Sequence, residues 1–260
     1  MTASLRLIDS HAHLDFPEFD HDRDALFAAM AKANITTCII PGVSPVHWDR
    51  QLQVAHQYAC PYGLGLHPWY VDAHWPKAID ALSERLDNCS GDKKLVAVGE
   101  CGLDKMHGEN WHWQLPALEA QLLLASKHQL PVILHSVKSH DPLISMLSSH
   151  SLPRRGVIHG FYGSVEIAKR YIELGYLLGV GGLLLNEDAK KLHKVVETLP
   201  IESFICETDS PAMTPKSAKG SRNSPLLIGQ IVTKMAHLQK KSNVLISERL
   251  LSNVLQLFEL

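Results

Sequence analysis

The sequence predicts an α/β protein built as a single (β/α)8 TIM barrel. A length of 260 residues fits one large barrel domain. Short apolar or β-branched runs recur along the chain, and stretches with helical spacing of apolar residues lie between them. Strand followed by helix, repeated, indicates a parallel sheet, and eight strands favour a barrel over a doubly wound sheet, which usually needs fewer. We therefore expect one domain over residues 1–260 with no linker.

The expected elements follow the chain in order. Strands are predicted at eight runs: 5–9 (LRLID), 36–40 (TTCII), 62–66 (YGLGL), 94–99 (KLVAVG), 131–135 (PVILH), 155–159 (RGVIH), 176–180 (YLLGV) and 203–207 (SFICE). Apolar residues three and four positions apart predict helices at 22–33, 113–129 and 164–174. The Ser-, Lys- and Pro-rich segment 212–224 predicts a long loop after the eighth strand.

Composition narrows the class of protein. The chain is 45% hydrophobic and 20% charged, without an apolar run near the roughly 20 residues of a membrane helix, so we expect no membrane partner. The N-terminal apolar stretch is too short for a signal peptide, and the five cysteines are scattered and odd in number, which favours a reducing cytoplasm. A net charge of −2 argues against a broad nucleic-acid footprint but leaves room for a local basic cleft.

Histidines and acids collect where the predicted strands end, the face on which barrel enzymes build their active sites. His11 and His13 follow the first strand, and alternate side chains of an extended segment leave the same face, so the two imidazoles can converge. The other strand-end residues come from separate strands: Glu100 (fourth), His135 (fifth), His159 (sixth), and Glu207 and Asp209 (eighth).

These residue types suit divalent metal ions. Imidazole and carboxylate together bind Zn²⁺, Mn²⁺ or a similar ion, and Glu100, central in the set, has two oxygens with which to bridge a pair. Two ions, whether Mg²⁺, Mn²⁺ or Zn²⁺, can activate water and stabilise both the attacking and the leaving oxygen of a phosphodiester. No covalent triad competes, because Ser136 and Ser210 lack an obvious base in the local sequence.

Several motifs resemble, in order, the signatures of TatD-type metal-dependent deoxyribonucleases within the amidohydrolase-like barrels. They are DSHAHLD (9–15), GLHP (65–68), GECGLD (99–104), LHS (134–136), IHGFYGS (158–164), ETDSP (207–211) and RNSP (222–225). Their spacing covers nearly the whole chain.

This resemblance implies a two-ion site and a substrate. One ion would be held by His11, His13, Glu100 and Asp209; the second would be held by Glu100, His135 and His159. It also implies that Asp209 activates the attacking water, and that DNA is the substrate, often cleaved from a strand end.

The chain departs from the family pattern in two places. Lys138 stands near the position where the family usually has an arginine after the fifth-strand histidine, and Ser224 replaces the glutamate of Arg-Asn-Glu-Pro. Lysine is a point charge and cannot offer a phosphate the bidentate fork of arginine, so we expect a different grip on the substrate.

Other polar residues have two interpretations each. Glu207 is either a further ligand or an acid that orients a histidine or caps the loop, and His67 either reaches a phosphate or packs the rim. Asp9 and Asp15 are expected to hold the turn after the first strand. Four basic residues either line a phosphate cleft or belong to a solvated loop: Lys138, Lys216, Lys219 and Arg222.

Two other functions compete with a two-metal nuclease. The same barrel supports binuclear amidohydrolases and deacylases, although these commonly bridge their metals with a carbamylated lysine where this chain has Glu100. A metal-binding scaffold without catalysis is the third possibility, and the complete ligand set with the candidate base Asp209 argues against it. The sequence indicates no protein partner.

Overall fold

The computed structural model describes residues 6–260 of the chain. Eight strands alternate with eight helices in this part of the chain, and a ninth helix follows at its end. The strands are β1 (Leu7–Asp9), β2 (Ile35–Cys38), β3 (Tyr62–Leu64), β4 (Leu95–Asp104), β5 (Val132–Val137), β6 (Gly156–Ile158), β7 (Leu177–Val180) and β8 (Phe204–Cys206).

The helices each follow one strand, except for the last. They are α1 (Arg23–Lys32), α2 (Pro45–Gln57), α3 (Trp75–Asn88), α4 (Trp111–His128), α5 (His140–Ser149), α6 (Val165–Glu173), α7 (Lys190–Thr198), α8 (Ile228–Gln239) and α9 (Asn243–Phe258). Local chemistry marks their starts, since Pro45 occupies the first turn of α2 and the Ser242 hydroxyl accepts a hydrogen bond from Leu245 N at the start of α9.

The chain forms two compact units. Unit 1 comprises Met1–Ile39, Gly160–Ile172 and Leu177–Leu260, and unit 2 comprises Ile40–His159 and Glu173–Tyr176. Neither unit is continuous in sequence, so each is completed by segments that are distant along the chain.

Unit 1 contains four parallel strands in the order β7-β8-β1-β2. In the outer pairs, Val180 lies opposite Cys206 and Asp9 opposite Cys38, and the register of β1 with β2 shifts between Leu7 and Ile8. The middle pair is joined by Ser10 N, which donates to Cys206 O at 3.0 Å, and by the parallel bridge of Ala12 with Ser210.

Unit 2 contains the parallel order β3-β4-β5-β6. All ten residues of β4 are buried, as expected for a central strand of a parallel sheet covered by helices. Its register places Gly102 opposite His135. Gly102 has φ +145° and a Cβ there would lie 2.1 Å from His135 O, so only glycine fits this approach of β4 to β5.

The α/β prediction is confirmed, and every predicted strand is present within a few residues of its expected position. The three predicted helices correspond to α1, α4 and α6, and the segment 212–224 is a loop with one short 3-10 turn at Lys216–Ala218. Leu5, the first residue of the first predicted strand, lies outside the described residues. No helix in the described part of the chain combines the length and the apolar character needed to cross a membrane.

Two strands run past their predicted ends, so those two predicted ends were wrong. β4 continues to Asp104 and β5 to Val137, so Glu100 and His135 lie within strands rather than at their last positions. Gly99 and Gly102 interrupt the apolar pattern of β4, so the pattern predicts a shorter strand than the structure contains. The single-domain prediction over residues 1–260 stays a prediction.

Candidate metal-binding sites

The first site lies in unit 1 and is formed by His11, His13 and Asp209, which we call the His11 cluster. After β1 the chain bends at Ser10, and Ala12 forms a parallel bridge with Ser210. The two histidines on either side of Ala12 bring their side chains together, as the sequence predicts. Their Nε2 atoms lie 3.3 Å apart, and each lies 3.5 Å from Asp209 Oδ1. His11 is completely buried, whereas the Asp209 side chain keeps 13% of its surface exposed.

Backbone contacts hold Asp209 against the two histidines. Asp209 N donates to His11 O at 2.9 Å, and His13 N donates to Ser210 O at 2.7 Å. Asp209 has φ +56°, in the left-handed region, where aspartate and asparagine are tolerated better than most residues. The carboxylate is therefore placed by a strained turn that follows β8.

Asp9 holds the backbone on both sides of the His11 cluster by hydrogen bonds. Its carboxylate accepts hydrogen bonds from His11 N, Thr208 N and Thr208 Oγ1, at 3.2, 3.0 and 2.6 Å. Complete burial raises the pKa of Asp9 to about 7, against the lowering effect of these bonds. Asp9 thus ties the segment after β1 to the segment after β8, in agreement with its predicted structural role.

The second site lies in unit 2, where three imidazoles surround one carboxylate oxygen; we call it the Glu100 cluster. Glu100 Oε1 lies 3.0 Å from His67 Nε2, 3.0 Å from His135 Nδ1 and 2.8 Å from His159 Nε2. His135 Nδ1 is also 3.3 Å from His67 Nε2 and 3.2 Å from His159 Nε2. All four residues are buried.

Asp104, at the end of β4, holds the other side of His135. Its Oδ2 lies 3.2 Å from His135 Nε2 and accepts a 2.7 Å hydrogen bond from Trp69 Nε1. Its Oδ1 accepts from Met106 N at 2.8 Å. A carboxylate behind an imidazole fixes the orientation of a ligating histidine and raises its basicity.

The electrostatic environment differs among these groups. Burial lowers the pKa of His67 and outweighs the nearby Glu100 carboxylate. Burial also acts to lower the pKa of His135, but its bonds to Asp104 and Glu100 prevail and raise it. The pKa of Asp104 falls because hydrogen bonds from His135, Trp69 and the Met106 amide outweigh its own desolvation.

The donor spacings fit bound cations. Nitrogen and carboxylate ligands about 2.0 to 2.2 Å from a metal ion are roughly 2.8 to 3.6 Å apart, depending on the angle between them. The separations are 3.3 and 3.5 Å in the His11 cluster, and 3.0 and 3.3 Å among His67, Glu100 and His135. In each group these atoms all lie within 4.8 Å of one another. Buried nitrogen and oxygen donors at such distances suit Zn²⁺ or Mn²⁺.

Sequence reasoning missed two members of the Glu100 cluster and its surroundings. For His67 the sequence allows either a phosphate contact or rim packing, yet its Nε2 lies 3.0 Å from Glu100 Oε1 and 3.3 Å from His135 Nδ1. Asp104 ends the GECGLD motif and β4 together, but it is absent from the predicted ligands. The strand-end rule would have identified Asp104 if β4 had been predicted to its full length.

Glu207 has a positioning contact. Its Oε1 accepts a hydrogen bond from Gly160 N, the residue after His159 in sequence. Its Oε2 lies where a Cβ on Gly179 would come within 2.3 Å, so the carboxylate fits beside β7 only because residue 179 is glycine. This placement favours the interpretation of Glu207 as an orienting acid.

Two of the candidate phosphate-binding cations are paired elsewhere. Arg222 makes a bidentate contact with Asp22, at 2.9 and 2.6 Å, and its guanidinium carbon lies 4.1 Å from the centroid of the Phe19 ring. Lys216 pairs with Asp188. Both contacts favour structural roles in unit 1. Lys138 is exposed, three residues after His135.

The amino-acid sequence matches a known family over nearly its whole length. Residues 8–259 match the family described as TatD related DNase. The metal-dependent hydrolase YjjV of Escherichia coli is 38% identical over 256 residues, which cover 97% of this chain and 98% of that protein. The 3'-5' ssDNA/RNA exonuclease TatD of Pantoea ananatis is 27% identical, with 98% of this chain and 100% of the relative covered.

Solved structures agree with the sequence matches. The crystal structure of YJJV, a TatD homologue from Escherichia coli, superposes with a TM-score of 0.93 at 36% identity, covering 98% of this chain and 99% of that one. In the sequence comparison, a more distant relative, the deoxyribonuclease TATDN3 of Homo sapiens, is 29% identical, with 98% of this chain and 96% of the relative covered.

Proposed function

Because this chain belongs to the TatD related DNase family, we propose that it is a divalent-metal-dependent hydrolase that cleaves DNA phosphodiester bonds at ends or in single strands. The observation that carries the proposal is the Glu100 cluster, in which three buried imidazoles share one carboxylate oxygen. Relatives named as an ssDNA/RNA exonuclease and as a deoxyribonuclease support nucleic acid as the substrate class.

We assign one divalent ion to each cluster. His11, His13 and Asp209 would hold one ion, and Glu100, His135 and His159, joined by His67, would hold the other. The sharing of Glu100 between both ions is a prediction from the family resemblance. When bound, the two ions would neutralise charge that develops on the phosphate and polarise it toward attack.

The chain supplies the base. Asp209 is the one carboxylate of the His11 cluster, and its exposed fraction of 13% leaves an edge that water can reach. Asp209 accepts the proton of the attacking water, while His11 and His13 keep its Oδ1 in place. Glu100, which is 2% exposed, has no comparable access and serves as a ligand.

The preference for ends or single strands follows from charge. With a net charge of −2, the protein lacks the broad positive potential that would bind the phosphates along an intact duplex. With Arg222 and Lys216 engaged in ion pairs, few candidate cations are left for phosphates, and a few suffice for a frayed end.

The decisive experiment follows labelled single-stranded DNA, double-stranded DNA and RNA, alongside a panel of amides and esters, with a chelator control. We expect metal-dependent cleavage of single-stranded oligonucleotides and of duplex ends. Efficient cleavage of an amide by the metal-loaded protein, with every oligonucleotide intact, would replace this proposal with a binuclear amidohydrolase. A fully loaded protein that cleaves neither would be a metal-binding scaffold.

We also propose a cytoplasmic location. All five cysteines are free thiols, and four of them are buried. Unpaired thiols are usual where the compartment is reducing.

A further inference from the structure

Trp69 is a large aromatic residue that stays exposed beside the Glu100 cluster. It is 55% exposed, although its indole Nε1 donates to Asp104 Oδ2 at 2.7 Å. The same oxygen lies 3.2 Å from His135 Nε2. A single carboxylate therefore separates an exposed ring from a candidate metal ligand.

The ring is held in a fixed position. Trp69 N donates to His67 Nδ1 at 3.1 Å, and Asn110 Nδ2 donates to the carbonyl oxygens of Pro68 and Val71, at 2.8 and 2.7 Å. These bonds anchor the short turn on both sides of Trp69. A rigid exposed ring loses little conformational entropy when a flat ligand covers it, which favours binding.

Two exposed lysines come directly after the ends of β4 and β5. Lys105 follows Asp104 directly, and its backbone N donates to Val137 O at 3.0 Å, so the backbones of Lys105 and Lys138 are adjacent. Both lysine side chains are exposed. An aromatic ring beside exposed cations is the arrangement by which proteins bind single-stranded nucleic acid, with a base stacked on the ring and phosphates near the cations.

We propose that Trp69, Lys105 and Lys138 form a stacking face for single-stranded DNA, in which an unpaired base lies on the indole and adjacent phosphates contact the lysines. This rests on the proposed nuclease function and names the form of its substrate. Bases inside a duplex are covered on both faces by their neighbours, so the stacking face selects a base that is already unpaired. It gives the enzyme a means of recognising a single strand without reading its sequence.

The test compares two labelled oligonucleotides by fluorescence anisotropy. One is oligothymidylate, and the other has the same length with abasic sites in place of the bases; metal-free protein in chelator allows binding without cleavage. Wild type should bind the base-bearing strand about 5- to 150-fold more tightly, which corresponds to one stacked base. Trp69→Leu should reduce this ratio to about one, and Trp69→Phe should retain part of it.

The control variant is Leu123→Ala, since Leu123 is an exposed apolar residue of α4 in the same unit, 59% exposed. It should keep the wild-type ratio. Metal content of each variant, measured after loading, separates stacking from the support that Trp69 gives to Asp104. If Trp69→Phe loses the ratio as fully as Trp69→Leu and also loses metal, Trp69 serves only to position Asp104 and the stacking face is wrong.

The outcomes also separate this inference from the proposed function. If wild type cleaves oligonucleotides and Trp69→Leu retains full preference for the base-bearing strand, the stacking face is overturned and the nuclease assignment stands. If loaded wild type cleaves no oligonucleotide but its binding ratio depends on Trp69, the stacking face stands and the assigned reaction is wrong.

Discussion

At the scale of single residues, chemistry is concentrated in a few buried side chains whose surroundings differ. Asp209 keeps an exposed edge in a left-handed turn. Glu100 is enclosed by imidazoles, and Asp9 is buried under backbone amides and a threonine. These three carboxylates thus differ in burial and in hydrogen-bond partners, and the roles proposed for them (base, ligand and structural anchor) follow from these differences.

Replacement of the candidate base tests its role directly. Asp209→Asn should lower turnover of labelled oligonucleotides by about 10²- to 10⁴-fold, because an amide cannot accept the proton. Asparagine tolerates a positive φ, so the fold and at least part of the metal content should persist. Circular dichroism and elemental analysis serve as controls, and turnover near the wild-type rate would exclude Asp209 as the base.

Ligand replacements test how the ions are shared. Glu100→Ala should remove both ions if the carboxylate bridges them, whereas His135→Ala should mainly weaken one. Glu207→Gln should cost on the order of 10- to 100-fold in metal affinity, as expected for a group that positions a ligand through its neighbours.

Elemental analysis of dialysed protein measures each effect, and occupancy should fall below roughly pH 6 as imidazoles protonate. Equal loss of both ions from Glu207→Gln and Glu100→Ala would show that the ligands are misassigned.

At the scale of elements, glycines and acidic side chains decide how strands meet. Gly102 lets β4 approach β5 at His135, and Gly179 leaves room for Glu207 beside β7. At the first residue of β3, Tyr62 Oη donates a hydrogen bond to Asp92 at 2.8 Å. Asp92 also accepts hydrogen bonds from His56 Nε2 at 2.8 Å and from Lys94 N at 2.9 Å. That carboxylate ties the start of β3 to the residue before β4.

Gly102→Ala should disturb both stability and the Glu100 cluster. The added Cβ would clash with His135 O, and the alanine would have to adopt an unfavourable φ. We therefore expect a loss of about 2 to 4 kcal/mol in the free energy of unfolding. Displacement of His135 should also lower metal content. Urea unfolding measures the first effect; Gly91→Ala, where a Cβ meets no atom within 4 Å, is the matched control.

Asp92 gives the protein an acid-sensitive contact. Burial acts to raise its pKa, but the bonds from Lys94 N, His56 and Tyr62 outweigh this and lower it. The stabilisation is therefore present above the unfolded pKa near 4 and is lost as pH falls through the lower folded pKa. Asp92→Asn should cost about 1 to 2 kcal/mol at pH 7. In urea titrations, the difference from wild type should shrink toward pH 2; a constant difference would exclude an ionised contact.

At the scale of the whole molecule, the two units are interleaved along the chain, which bears on the single-domain prediction. Unit 1 is assembled from three segments of the chain, so no single cleavage of the chain frees a complete unit. All five tryptophans belong to unit 2, at positions 48, 69, 75, 111 and 113. Selectively excited tryptophan fluorescence therefore comes from residues of unit 2, whereas far-UV circular dichroism reports on helices of both units.

If residues 1–260 form one domain, both probes should give the same unfolding midpoint in urea, as expected for a cooperative two-state transition. Saturating Zn²⁺ or Mn²⁺ should raise that midpoint for both probes, because an ion that binds only the native state stabilises it by mass action. Separate midpoints for fluorescence and circular dichroism would show that the units unfold independently.

The sequence by itself determined the order of strands and helices, because apolar runs and helical spacing are local properties of the chain. It also identified six candidate ligands and the family, because motif residues sit next to strands that could be located individually. The tertiary structure decided what depends on packing: the full length of β4, the entry of His67 into the Glu100 cluster, and the support of His135 by Asp104. It also decided that Arg222 forms an ion pair with Asp22 and that Trp69 stays exposed. Such contacts join residues tens to hundreds of positions apart, and no local pattern encodes which polar groups become partners once the strands are assembled.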